Sequence, residues 1–475
     1  RSRGLGDVYK RQLLRHPQIR KGGLFLIALF GGCQLKADPA LPVVKRVQAD
    51  SLAIQQVVYN DRVAPFNTLA RDFVQKIYGR PSFHRITPEQ VVSSWMLYPE
   101  EWNRTPIIRI KNQELRTALG LKEEYASLNH LFDGTQYKLQ PLWQREQGNR
   151  SKLAQAIQET DEKVGLILML RQGTLIRPLP PDVTPLSTQK VNAELWYNRI
   201  PFSKILFMVN LTLGFAAFGL FMFRMLTGRK EKAVSRRVWG TALCLTTLFH
   251  ATGYALRGYI RGGFPLSNGY ETMQFVALAV LLTACLLQRR FPFTRPFGFL
   301  LSGFTLLVAY LGEMNPQITP LMPVLASPWL SWHVSLIMIS YGLFAFTFLN
   351  GILALCLIGK QKNTASPITG EQIEQLTLLS RLLLYPGTFL LGIGIVLGAV
   401  WANVSWGSYW SWDPKEVWAL AAFIIYGISF HRNSLPCFQR QWLFHGYMIF
   451  AFAVVLMTYF GVNHLLGGMH SYANS

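Results

Sequence analysis

Eight apolar stretches follow one another between residues 205 and 463, and no other feature of the chain restricts its fold more. They run approximately over 205–226, 238–257, 272–288, 296–311, 333–359, 384–401, 416–430 and 442–463. A run of about 20 apolar residues is long enough to cross a bilayer as a helix. Lipid offers the backbone no hydrogen-bond partners, so such a run must satisfy itself as a helix. The expectation is an all-α polytopic membrane protein of about eight transmembrane helices, the fourth and seventh short, with an N-terminal extracytoplasmic domain of mixed structure. Only 15% of the residues are charged, against about 25% in a soluble protein. The formal charge of +22 does not point to nucleic acid. Its Lys and Arg fall in short clusters between apolar stretches, not on one continuous basic face.

Those clusters set the direction of the spans. The loop after the first stretch carries Arg229, Lys230, Lys232, Arg236 and Arg237, and the loop after the third carries Arg289, Arg290 and Arg295. Lys360 and Lys362 follow the fifth, and Arg432 and Arg440 the seventh. Basic loops stay in the cytoplasm. Segments 312–332 and 402–415 and the C-terminus are therefore expected outside. The location expected is a bacterial inner membrane, with the N-terminal domain facing the periplasm.

Residues 1–12 look unrelated to the rest of the chain, resemble a translated sequencing artefact, and carry no fold argument. Residues 13–33 hold Arg15, Arg20 and Lys21 before a short apolar run, a signal-like or membrane segment. Residues 34–200 are polar and proline-containing, with no membrane-length run. There, a turn at Asp61 is expected to lead into a helix through Lys76. Residues 149–163 look helical, 164–171 form a short apolar run, and 176–188, with four prolines, read as a linker. His84 and His130 read as ordinary surface or core histidines. Residues 201–475 make the membrane domain.

The five cysteines, Cys33, Cys244, Cys285, Cys356 and Cys437, form no Cys-x-x-Cys or Cys-x-x-Cys-His. The chain is thus neither itself a c-type cytochrome nor a thioredoxin-like reductant. No Gly-x-x-x-x-Gly-Lys-Ser/Thr is present, so ATP is not the direct driver.

One segment stands apart from the apolar pattern. Residues 406–416 read Trp-Gly-Ser-Tyr-Trp-Ser-Trp-Asp-Pro-Lys-Glu. Taken singly, Trp406, Trp410 and Trp412 fit the aromatic belt of a membrane interface. Taken together they offer a flat surface suited to a flat amphipathic ligand such as haem, with the carboxylate of Asp413 beside it. Two histidines lie on the same side, His333 at the outer end of the fifth stretch and His470 just past the last. Haem iron takes axial nitrogen ligands, so two opposed imidazoles suffice.

The string resembles the signature WGxxWxWDxxE of the haem-handling, or WWD-domain, family. That family comprises the CcsA-type cytochrome c synthases of system II and their system I relatives, and the resemblance covers about residues 200–475. Residues 34–200 resemble the domain before the membrane core in fused Ccs (CcsBA) proteins of the Bacteroidetes type, here without their upstream ResB part. The resemblance implies that His333 and His470 ligate external haem iron. It matches His431 to a transmembrane histidine that holds haem on its way out. Residues 265–271, Pro-Leu-Ser-Asn-Gly-Tyr-Glu, resemble a family segment near the haem site, which adds Asn268 and Tyr270 as contacts. Arg257, Arg261 and Lys415 are the outer cations open to haem propionates. His250 reads as a substitute ligand or a helix–helix hydrogen bond, His445 as structural, and His464 as a competitor of His470.

The function this implies is cytochrome c biogenesis. Haem b would be held as substrate at the outer face and presented for thioether attachment to the CxxCH segment of apocytochrome c. The partners implied are that apocytochrome, a ResB-like (CcsB) protein or missing N-terminal part, a thiol-reducing pathway and membrane lipid. Two alternatives stay open: a haem exporter or chaperone without ligation, and a non-haem transporter or structural subunit.

Overall fold

The computed structural model describes residues 41–466 apart from 150, 230, 313, 320–326, 364–366, 432 and 433. The chain divides into two compact units, residues 1–199 and 200–475.

In the first unit a short helix (Arg46–Ala53) precedes a hairpin of strands β1 (Gln56–Tyr59) and β2 (Arg62–Pro65). Its turn residues Asn60 and Asp61 have φ of 49° and 56°, the left-handed pair that a two-residue hairpin loop requires. The turn expected at Asp61 therefore leads first into a strand, and helix α1 (Phe66–Tyr78) follows. Helix α2 (Pro88–Leu97) starts with a Thr87–Gln90 capping box. Trp95 and Trp102 fill the core between these elements, both fully buried, each with its indole N–H bonded to an oxygen. The helical segment and the apolar run expected separately are one helix, α3 (Lys152–Arg171), capped by Ser151. The apolar run is simply where its buried side continues.

Residues 176–188 are not a free linker throughout. Strand β3 (Arg177–Pro178) pairs antiparallel with β1, and the Gln56 amide holds Leu186 by both its backbone N–H and its carbonyl. Helix α4 (Thr188–Arg199) then brings Glu194, 1% exposed, to Arg62 and Thr68.

The second unit consists of eight α-helices among the described residues, one for each apolar stretch. They are α5 (Phe202–Thr227), α6 (Ala233–Arg261), α7 (Gly269–Leu287) and α8 (Thr294–Leu311), then α9 (Pro328–Asn363), α10 (Pro367–Trp406), α11 (Pro414–Ile428) and α12 (Gln441–Leu456). The last continues as a π-helix over Met457–Leu466. Six of these segments are long and apolar enough to cross a membrane, which makes this a multi-pass membrane protein. Helix α6 is long but carries four arginines, and α11 has 15 residues, about 22 Å against a hydrocarbon core of about 30 Å.

Helices in lipid associate through close backbone approach and interhelical hydrogen bonds, because lipid is as apolar as their side chains. Both devices are present. On α10, a methyl placed on Gly387, Gly394 or Gly398 would come within 2.7, 2.6 and 2.6 Å of Phe344, Ile337 and His333 of α9. The residue numbers rise on one helix as they fall on the other, so α9 and α10 form a tight antiparallel hairpin. Hydrogen bonds tie Asn210 to Ser302, Asn350 to Ser380, His250 to Gln274 and His445 to Thr377. The last two make His250 and His445 buried links between helices.

Candidate functional site at the aromatic end

One end of the second unit gathers the C-terminal ends of α6, α8 and α10, the N-terminal ends of α7, α9 and α11, and the loops joining them. Helix α10 runs on to Trp406, so this residue closes a helix and does not belong to a loop. Gly407, at φ 74°, takes the left-handed conformation that turns the chain away, with its N–H on the Asn403 carbonyl. Trp406 meets Trp401 edge to face at 4.7 Å. Beyond the turn, Trp410 and Trp412 stand at 89° to each other with ring centres 5.9 Å apart. Trp412 is 74% exposed and has φ 58°. An aromatic residue is an outlier in that conformation.

The two carboxylates of the string serve the backbone. Asp413 is the N-cap of α11, 5% exposed, and accepts from the Lys415 N–H at 3.0 Å. Glu416 reaches back to the N–H groups of Ser411 and Asp413 at 2.9 and 3.2 Å. With Pro414 in the first turn this is a capping box, and it sets where the aromatic segment stops.

His333 sits one turn into α9, half-buried against α10. Its Nδ1 lies 2.6 Å from the Gly394 carbonyl oxygen. A carbonyl can only accept, so Nδ1 carries the proton and the lone pair of the neutral ring sits on Nε2. Gly398, facing the ring, precedes Trp406 by eight residues on the same helix, about 12 Å.

Asn268 and Tyr270 come together with a group that did not stand out in the sequence. Glu271 is fully buried and accepts from Arg257 Nε at 2.8 Å, Arg261 Nη1 at 2.9 Å, and the Ser267 N–H and hydroxyl at 2.7 Å each. Asn268 caps α7 through the Glu271 N–H, and the Arg257 guanidinium lies 5.1 Å from the Tyr270 ring centre. Arg257 also donates to the carbonyls of Pro316 and Gln317 at 2.8 and 3.0 Å. Arg257 and Arg261, read in the sequence as propionate partners, are thus both paired with Glu271. Arg257, 1% exposed, joins the start of α7 to the Pro316–Gln317 segment. The available signal was an acidic residue at the mouth of an apolar stretch, a position that demands a partner.

Other candidates lie elsewhere. His431 is exposed, three residues past the end of α11 and at the far end of that helix from the aromatic segment. Its N–H donates to the Ile428 carbonyl and its own carbonyl accepts from Ser434 and Leu435. His470 lies outside the described residues, as does Cys33. His464 falls on the π-helical segment. His84 has a positive φ of 51°, and His130 bonds the Leu119 carbonyl. Cys244 and Cys285, distant in sequence, bring their sulfurs to 4.0 Å between α6 and α7. Among the described residues, no group of three or more His, Cys, Asp and Glu could hold a metal ion. In the first unit, a cavity of about 250 Å³ is lined by Arg109, Lys111, Lys152, Lys163 and Glu159 among others. Burial there pushes the Lys163 amine below its ordinary value, with Glu159 working against the shift.

Eight helices, six of them long and apolar enough to cross a membrane, with an aromatic, histidine-bearing end define a class: multi-pass membrane proteins. The comparisons narrow it. A family model described as cytochrome C assembly protein matches residues 266–470. The CcsA cytochrome c biogenesis protein of Synechococcus sp. WH7803 is 33% identical over 314 residues, 55% of this chain and 94% of that protein. CcsA of Prochlorococcus marinus NATL2A is 32% identical over 305 residues, 55% of this chain and 93% of that one. Protein NrfI of Wolinella succinogenes is 32% identical over 483 residues. That match takes in 87% of this chain, and the chain spans about half the length of NrfI, 53%. The chain belongs to the CcsA-type cytochrome c biogenesis family.

Proposed function

We propose that the second unit binds haem b as a substrate at its aromatic end and presents it for covalent attachment to apocytochrome c. The observation that carries this reading is the His333 ring. It is held in one tautomer, lone pair on Nε2, on the helix beside the one that ends in Trp406. Iron-ligating imidazoles characteristically donate their other N–H to a carbonyl or carboxylate, which fixes the ring and raises its basicity.

His333 supplies one axial nitrogen in this reading and His470 the other. Trp406, Trp410 and Trp412 flank the porphyrin, with the exposed Trp412 ring as its outer wall. Asp413 holds that wall by capping α11, and Asn268 and Tyr270 hold the neighbouring loop through Glu271. Lys415, at the start of α11, is the cation this reading assigns to a propionate. His431, at the opposite end of α11, is the candidate haem ligand on the inner side, paired with a group from a ResB-like (CcsB) partner. The reaction joins the two thiols of a reduced CxxCH segment to the haem vinyl groups, and its histidine replaces one axial ligand. A thiol-reducing pathway keeps those cysteines reduced. The chain itself contributes positioning and exclusion of water. By the placement of its basic loops, the aromatic end and residues 34–200 face the periplasm from the inner membrane.

The test is maturation of a reporter c-type cytochrome in cells lacking their own maturation factors, with the full chain and its ResB-like partner co-expressed. Covalent haem on the reporter, lost in His333→Ala and His470→Ala, supports a synthase. Haem bound to the chain with an unmodified reporter would leave delivery alone, and no haem in either place would leave a transporter or structural subunit.

A further inference from the structure

Three side chains of α9 lie against glycines of α10: Phe344 on Gly387, Ile337 on Gly394 and His333 on Gly398. The packing is equally tight at all three, but only at the third does the side chain carry heteroatoms. There the ring rests where a side chain of residue 398 would be. A methyl on Gly398 would stand 2.6 Å from both Cε1 and Nδ1 and 3.3 Å from Nε2. One turn back on α10, the Gly394 carbonyl takes the Nδ1 proton at 2.6 Å.

We propose that Gly398 and the Gly394 carbonyl form the seat of the His333 imidazole, and that Gly398 is a positioning residue for haem; this rests on the reading of His333 as an iron ligand. The bare backbone at 398 lets the ring lie flat against the helix. The carbonyl at 394 then sets its rotation and its tautomer. Normal contacts between carbon atoms lie at about 3.5–4.0 Å, so alanine at 398 drives the ring back by roughly 1 Å. That retreat also takes Nδ1 away from the 394 carbonyl, and with it goes the constraint that leaves the lone pair on Nε2. The same helix ends in Trp406, so α10 supplies the ring's resting surface, its hydrogen-bond acceptor and the start of the aromatic wall as one rigid body.

The experiment compares Gly398→Ala, Gly387→Ala and His333→Gly in the full chain co-expressed with its ResB-like partner. Haem retained on purification, its reduced absorption spectrum and the melting temperature are read for each, with and without imidazole in the growth medium. The seat predicts that Gly398→Ala loses roughly 10- to 100-fold in haem retained. It also predicts that imidazole restores much of that loss by taking the iron position directly, as it does for His333→Gly. Gly387→Ala, equally tight against Phe344, melts lower but keeps its haem and spectrum. Normal haem and spectrum in Gly398→Ala, beside loss in His333→Gly, would overturn the seat and leave the ligand standing. Equal, imidazole-insensitive losses in Gly398→Ala and Gly387→Ala would reduce Gly398 to helix packing and overturn it as well. Full haem in His333→Gly would remove the ligand reading and the seat with it.

Discussion

At single residues, Trp412 and Glu271 separate the proposed ligand-facing role from the framework. Trp412 is held in a left-handed backbone conformation while three-quarters of its surface faces outward. Such a conformation costs on the order of 1–3 kcal/mol in a bulky residue. The edge-to-face contact with Trp410 offsets only part of that, about 0.5–1.5 kcal/mol, and a ligand laid against the ring would offset the rest. Asn tolerates the conformation. Trp412→Asn is therefore expected to melt at or above the wild-type temperature while retaining less haem. A variant that melts lower with its haem intact would make Trp412 a packing residue. Glu271 belongs to the framework. Glu271→Gln leaves two buried guanidinium groups without their counter-charge, a change that typically costs about 3–5 kcal/mol. The expected result is a large loss of folded protein in detergent. If the arginines existed to bind propionates, freeing them would tighten haem binding instead, and a titration of the variant with haem separates the two.

At the scale of elements, the eight helices were legible because eight apolar runs admit no other structure in lipid. Their ends were less so. Helices α9 and α10, at 36 and 40 residues, outrun the stretches expected of them. Hydropathy stops at Lys360 and Arg381, but helical hydrogen bonding does not need an apolar side chain. The Asp-Pro-Lys-Glu at 413–416 spelled a capping box, yet the three tryptophans before it drew the reading toward the ligand. The Arg–Glu–Arg knot was not legible as a unit, because the partners come from two helices and two loops. His250 shows the converse. A histidine within a span suggests a ligand, and the structure spends it on Gln274 of the next helix, which in turn holds Ser203. Interhelical hydrogen bonds in membranes contribute about 0.6 kcal/mol on average. His250→Leu is accordingly expected to lower stability by roughly 1 kcal/mol and to leave the haem spectrum unchanged. Loss of a haem band in that variant would make His250 a ligand after all.

Over the whole chain, one unit is a membrane core that matches a known biogenesis family and the other is a body built around α1–α4. The core's two ends differ in kind. One end is basic, with Arg224 and Arg295 closing on Glu231 at 3.1 and 2.7 Å, and the other is aromatic. The central claim is that the aromatic end holds haem between His333 and His470. The most direct test is the reduced-state absorption spectrum of the purified protein, prepared with its ResB-like partner from haem-replete cells, wild type beside His333→Ala and His470→Ala. A bis-histidine haem band in the wild type that is lost or shifted in both variants is the predicted result. Wild-type protein free of haem, or a band that neither substitution alters, would contradict it.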